Sequence, residues 1–173
     1  SVERFCRLIE QEQPHILVNN AGVSSPATVE DLKMDDVERV HEINLVAPLR
    51  LCQAVVPGMR RHGWGRIVNL TAVSGIYGRK ARANYGSSKA ALDGMTASLA
   101  AEYGVHGILA NCVAPGFIET DVLRSLYSAA QLKALAETVP TKRLGTAAEI
   151  ASLVAWLCGP ENGYVTGQNI VIA

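Results

Sequence analysis

Tyr85 and Lys89 stand four residues apart in Tyr85-Gly86-Ser87-Ser88-Lys89, at the head of an apolar, alanine-rich run. On a helix that spacing sets a phenol and an ammonium on one face, a single turn apart. A free tyrosine titrates near a pKa of about 10 and exchanges protons poorly at neutral pH. A fixed cation beside it favours the phenolate and lowers that value. The pair could therefore add or remove the hydroxyl proton that accompanies a hydride transfer. Taken alone, the same five residues also describe a surface pair at helical spacing, so the surrounding elements must decide.

Those elements alternate. Residues 1–12 carry a helical face of Val2, Phe5, Cys6 and Ile9, and Pro14 ends it. His15-Ile16-Leu17-Val18-Asn19 is a short apolar strand of the kind found where helices cover both sheet faces. Helical periodicity over 30–60 predicts two helices, near 31–40 and 43–60. Strand Arg66–Leu70 follows, then a loop with Gly and Ser, a helix over Asn84–Tyr103 and strand Ile108–Val113. Short helices are expected near 119–126 and 129–137. Thr146, with Glu149 three residues on, caps a helix through Leu157, and Asn169–Ile172 is the last strand. This order predicts an α/β, Rossmann-like three-layer fold with a parallel sheet, and a single domain over 1–173. Ligands of such sheets bind beyond the C-terminal strand ends, where Asn19–Gly22, Thr71–Ser74 and Ala114–Thr120 fall.

Composition removes several classes of function. Sixteen basic residues balance sixteen acidic ones, which offers nothing to a nucleic-acid backbone or an anionic membrane surface. No apolar run approaches a membrane span. Ser1-Val2-Glu3-Arg4 does not read as a secretory signal. Cys6, Cys52, Cys112 and Cys158 lie far apart and read as reduced thiols of a cytoplasmic protein. His15, His41, His62 and His106 lack metal-ligand spacing, and no metal is expected.

Four motifs occur in order: Asn19-Asn20-Ala21-Gly22 after a strand, Asn44 in Ile43-Asn44-Leu45, Tyr85-x-x-x-Lys89, and Pro115-Gly116-Phe117-Ile118-Glu119-Thr120. The chain resembles the short-chain dehydrogenase/reductase family over essentially its whole length. The run from Pro115 to Asp121 and the Arg143-Leu144-Gly145 region are most similar to β-ketoacyl-acyl-carrier-protein reductases. The resemblance implies an oxidoreductase that interconverts a carbonyl and a secondary alcohol with NAD or NADP, the subfamily favouring NADP, and a 3-oxoacyl thioester as substrate. It implies that Tyr85 is the general acid or base and that Lys89 lowers its pKa and bonds the nicotinamide ribose. Asn44 would hold a water in a proton relay from Lys89; read from the residues alone, it marks a helix kink. Asn20, Ala21 and Gly22 would border the cofactor. Pro115, Gly116, Ile118 and Thr120 would line its nicotinamide side; otherwise Pro115-Gly116 is a turn before a helix capped near Thr120.

Two departures stand out. Family members place a serine thirteen residues before the tyrosine, and that position is Ala72. Thr71 is one residue off and points to the other face of a strand, leaving Ser74 as the better substitute. The resemblance also implies an earlier strand and a Gly-rich turn that cradles pyrophosphate. No such turn occurs here, since Gly63-Trp64-Gly65 precedes a strand instead of following one. The chain is therefore expected to be the C-terminal part of the doubly wound fold, with His15–Asn19 as an uncovered edge. Both departures predict impaired activity and keep a non-catalytic binding or assembly module open; a related isomerase or dehydratase has no feature in its favour. Helices 43–60 and 84–103, with Ala90, Ala91, Gly94 and Ala97 permitting close approach, predict a homodimer or homotetramer. Substrate selection is expected from Ser74–Arg82 and 121–140, through Ile76, Tyr77, Leu123 and Tyr127.

Overall fold

In the computed structural model, which describes residues 2–173 with the side chain of Leu126 excepted, helix α1 (Val2–Glu12) leads into strand β1 (Ile16–Asn19). Helix α2 (Met34–His41), a π-helical turn (Glu42–Val46) and helix α3 (Ala47–His62) then run without interruption. Strand β2 (Gly65–Leu70) is followed by the short helix α4 (Val73–Tyr77) and the long helix α5 (Ala83–Tyr103). Strand β3 (Ile108–Pro115) and the two-residue strand β4 (Ile118–Glu119) precede helices α6 (Asp121–Leu126) and α7 (Ala129–Thr138). Strand β5 (Gly145–Thr146), helix α8 (Ala147–Cys158) and strand β6 (Asn169–Ile172) complete the order.

The main sheet runs β1-β2-β3-β6, with every pairing parallel. Strand β2 is buried along its whole length because helices cover both faces. Adjacent residues point to opposite layers. Ile67, Ile108 and Ala110 join Ile9, Val55, Met59 and Leu99 in the core beneath α1, α3 and α5. Val68, Leu70 and Val113 join Leu157 and Cys158 beneath α8 on the other face. This is the α/β, Rossmann-like, three-layer arrangement that the alternation of elements predicts.

Several expectations need correction. The helices near 31–40 and 43–60 are continuous, because a π-helical turn absorbs the extra residue that would otherwise break them. The segment after β2 forms α4 in place of a loop. Phe5 is mostly exposed, and Ile9 is the buried residue of α1, whose expected first residue, Ser1, lies outside the described residues. Strand β1 does lie at the sheet edge: among the described residues it pairs only with β2, and Ile16 and Val18 are 46% and 41% exposed. Thr146 and Glu149 form the expected capping box at α8. No described helix is long and apolar enough to cross a membrane.

Gly107 closes the turn into β3 at φ +73, and a Cβ there would overlap the carbonyl oxygen of Gly63. Its own carbonyl accepts from the backbone of Gly65 and from the buried Arg66 guanidinium. Gly107→Ala is expected to lower unfolding free energy by about 1–3 kcal/mol or more through left-handed strain and backbone overlap. Urea denaturation measures it, and an unchanged midpoint would count against this account of the turn.

Candidate active site

The C-terminal ends of β1, β2 and β3 open on one side of the sheet, and α5 begins there. Its start is fixed by Asn84, whose amide donates to Ser25 O at 2.9 Å and whose carbonyl oxygen accepts the Tyr85 N–H at 2.7 Å. Helix α4 seats on α5 through two glycines. A Cβ on Gly75 would come within 3.0 Å of Ala90 N, and one on Gly86 within 3.0 Å of Ser74 O. The contact needs a residue without a side chain at both places.

Lys89 is 4% exposed and donates from Nζ to the Leu70 carbonyl at 2.6 Å, at the very end of β2. Burial lowers its pKa to about 8. Nζ lies 5.8 Å from the centre of the Tyr85 ring, so the four-residue spacing does bring amine and phenol together. The electrostatics differ from expectation. Burial of Tyr85 raises the phenol's pKa, and the charge that opposes this is Arg82. Lys89 directs its proton at a carbonyl and is itself weakened as a cation by burial, which is why it does not dominate.

Asn44 is fully buried within the π-helical turn. Its Oδ1 accepts from Val23 N at 2.8 Å, and its Nδ2 donates to Val23 O at 2.9 Å and to Ser88 Oγ at 3.0 Å. Both ends of the amide are thus taken by protein, so this side chain ties the loop after β1 to α5. Gly22 sits in the same knot: a Cβ there would meet Asn44 Oδ1 and Lys89 Nζ, each at 3.3 Å. Asn20, Ala21 and Gly22 are exposed at the strand end. Behind them, Asn19 donates to Asn69, Asn69 to Thr96, and Cys112 to Thr96, in a buried chain from β1 to α5.

Pro115 and Gly116 are half-buried at the end of β3, and Gly116 donates its N–H to Ile172 O. A Cβ on Gly116 would lie 2.6 Å from Ala173 Cβ, so glycine is required by this close approach. Gly145 donates to Phe117 O and pairs in register with Ile118, which turns the N–H and C=O of Ile118 away from β5. Thr120 is exposed, and its hydroxyl accepts the Leu123 N–H as the cap of α6. These three loops follow the C-terminal ends of the parallel strands β1, β2 and β3, and Thr120 serves as a helix cap.

Ala72, two residues beyond β2, caps α4 in extended conformation and offers no side-chain donor. The Thr71 hydroxyl is buried and bonded to Val113 O and Asn169 Oδ1, so it is not available as a replacement. Ser74 is half-buried and lines a cleft of about 470 Å³ along α4 and α5. A second cleft, of about 520 Å³, is bounded by Tyr77, Phe117, Ile118, Val139 and Ile172. Of the expected specificity residues, Tyr77 lines this cleft, Tyr127 accepts a hydrogen bond from Arg79, and Ile76 is exposed. Arg82 was not singled out from the sequence; a cation three residues before Tyr85 was the signal. The cysteines are free, and no metal-binding cluster occurs among the described residues.

A family model described as enoyl-(acyl carrier protein) reductase matches residues 2–173. The chain is 42% identical over 172 residues to a 3-oxoacyl-[acyl-carrier-protein] reductase of Vibrio cholerae, covering 98% of this chain and 70% of that protein. It is 39% identical over 154 residues to an acetoacetyl-CoA reductase of Cupriavidus necator, covering 89% of this chain and 62% of that one. A gluconate 5-dehydrogenase from Burkholderia cenocepacia, solved with NADP and tartrate, superposes with a TM-score of 0.91 at 29% identity, over 99% of this chain and 68% of its own. The chain belongs to the short-chain dehydrogenase/reductase family, and it is most like the 3-oxoacyl-acyl-carrier-protein reductases. It spans about 62–70% of the length of the curated relatives it matches.

Burial of Lys89 has a measurable consequence. Its folded pKa of about 8 lies below the ordinary lysine value, so between those two pH values the unfolded chain binds the extra proton. The burden of burying this charge is therefore present below pH 8, and stability rises as pH climbs from 8 towards the ordinary lysine range. The Lys89 amine is expected to titrate near pH 8 in NMR spectra of methylated protein, in a signal absent from Lys89→Met. A midpoint among the surface lysines would refute the buried, carbonyl-bound ammonium.

Proposed function

We propose that this chain carries the catalytic residues of an NAD(P)-dependent oxidoreductase that interconverts a carbonyl and a secondary alcohol. The observation that carries the reading is the cluster of Tyr85, Lys89, Gly22 and the Leu70 carbonyl at the strand ends. The residues present suit the nicotinamide end of a dinucleotide: a Gly that clears space beside a buried amine, and an Ile118 amide turned away from its own ladder. Asn20, Ala21, Gly22, Pro115, Gly116 and Ile118 would hold that end, with Lys89 on the ribose and Thr120 beside the carboxamide or phosphate. The dinucleotide, when bound, supplies or accepts the hydride. NADP is the reading for this chain on the strength of the NADP-bound neighbours.

Tyr85 gives its phenolic proton to the carbonyl oxygen in reduction and takes it back in oxidation. Its burial keeps the phenol protonated, as a donor must be, while the Arg82 charge stabilises the phenolate left behind. Lys89 refills the phenolate. Asn44 holds the β1 loop and α5 at fixed separation, and the carbonyls opened by its π-helical turn would seat the relay water. A 3-oxoacyl thioester is the substrate, by likeness to the curated relatives. Ala90, Gly94 and Ala97 are exposed along α5 and would pack against a second copy. With its thiols unpaired, the protein is read as cytoplasmic.

One observation favours a second reading, a binding module without turnover. Ala72 has no donor, and the neighbouring Thr71 hydroxyl is bonded elsewhere. NADPH oxidation with an acetoacetyl thioester separates the two. Tyr85→Phe is expected to abolish turnover, and Ala72→Ser to raise kcat by roughly 10²-fold by restoring an oxyanion donor. NADPH binding with no turnover in either the parent or Ala72→Ser would favour the module.

A further inference from the structure

We propose that the cleft framed by Arg79, Lys80 and Arg82 is an anion subsite that holds the 4′-phosphate of a pantetheine thioester while its acyl end lies at Tyr85. The proposal rests on the reading that a carbonyl is reduced there, and it names the handle by which that substrate is held.

The three cations sit on the loop between α4 and α5, which turns through positive φ at Gly78 (+71) and Ala81 (+58). It is pinned where Ala27 N–H donates to Ala81 O at 3.2 Å. All three line the cleft of about 470 Å³, with Ser74 and Ser87 on its walls and no acidic side chain. None of the three has a carboxylate within 4.0 Å among the described residues, whereas Arg39, Arg50, Arg124 and Arg143 all pair with carboxylates on the surface. Two are held by neutral partners. The Arg79 guanidinium lies 5.0 Å over the Phe117 ring and donates to Tyr127 Oη at 3.2 Å, and Arg82 donates to the Ser24 hydroxyl. These contacts aim the side chains without neutralising them. Clustered charges of one sign repel, and an anion relieves that repulsion. Guanidinium forks match phosphate oxygens in geometry.

The position of the cleft selects the length of the ligand. Ala83 and Ser87, both on its wall, are two residues to either side of Tyr85, so they lie about 200° around α5 from the phenol. A helix with its side chains is about 10–12 Å across. Arg82 is near enough for its charge to act on the phenol, whereas Arg79 is turned to Phe117 and Tyr127, so a carboxylate on a small oxo acid bound at Tyr85 meets Arg82 alone. An extended pantetheine arm reaches Arg79 and Lys80 as well.

The test is calorimetric binding of pantetheine and 4′-phosphopantetheine to the full chain and to the Arg79→Gln/Lys80→Gln variant. The phosphorylated ligand is expected to bind about tenfold more tightly to the parent, and the variant to lose that preference. Arg60→Gln/Arg61→Gln, on the exposed end of α3, is expected to keep it; Lys80→Glu alone serves should the double variant fold poorly. Equal binding of the two ligands by the parent, or a preference that survives in the variant, overturns the subsite. Coenzyme A run alongside separates the sources: tighter binding than 4′-phosphopantetheine assigns the arm to a coenzyme A thioester, equal or weaker binding to a carrier-protein thioester, and either supports the subsite. Turnover of the matching acetoacetyl thioesters is followed in parallel. Phosphate-dependent binding with no turnover of either thioester by the parent or by Ala72→Ser defeats the reading at Tyr85 and leaves the subsite standing. Equal turnover of both by the parent, with equal binding, defeats the subsite alone.

Discussion

A buried ammonium must find acceptors, and Lys89 finds one in the last carbonyl of β2. That single bond locks α5 to the end of the sheet. Around it stand the Tyr85 ring, the Gly22 backbone with no room for a Cβ, and Asn44 bonded to the neighbouring Ser88. An uncompensated buried cation is costly, and here the cost is met in part by hydrogen bonding and in part by a pKa brought down to about 8. The amine is thereby poised to exchange a proton near neutral pH, which a surface lysine is not.

The polar groups behind the site continue the same logic. Asn19, Asn69 and Cys112 lie side by side in register across three strands, and Thr96 of α5 closes the row. Each side chain of this row is bonded, so it crosses the sheet interior without an unpaired amide. The result is a rigid floor beneath loops whose outer residues are free to meet ligands. The π-helical turn belongs to that floor: it aims Asn44 at the backbone of Val23 while α2 and α3 stay continuous.

Ala72 keeps the backbone of a helix cap, with its carbonyl accepting from Gly75, so the fold does not need a serine hydroxyl there. Only chemistry at the substrate oxygen would. The positive loop that follows is not held by ion pairs among the described residues, since Arg79 and Arg82 rest on neutral partners. Residues that the fold does not require are the ones whose types report on ligands.

Much of this was legible in the chain itself. Strand and helix order, the parallel sheet, the Thr146–Glu149 capping box and the Tyr85–Lys89 pairing all follow from local periodicity and spacing, and the exposed edge at Ile16 and Val18 from the family resemblance. Local rules suffice there because each feature depends on residues a few positions apart. Helix α4, the paired dipeptide strands and the π-helical turn are too short or too irregular to leave a period in the sequence. What tertiary structure alone decided is electrostatic. Whether Lys89 or Arg82 governs the phenol, and whether Thr71 is free to replace a serine, depends on burial and on partners brought from distant parts of the chain. Spacing places charges near one another; only the packed interior determines which of them water no longer screens.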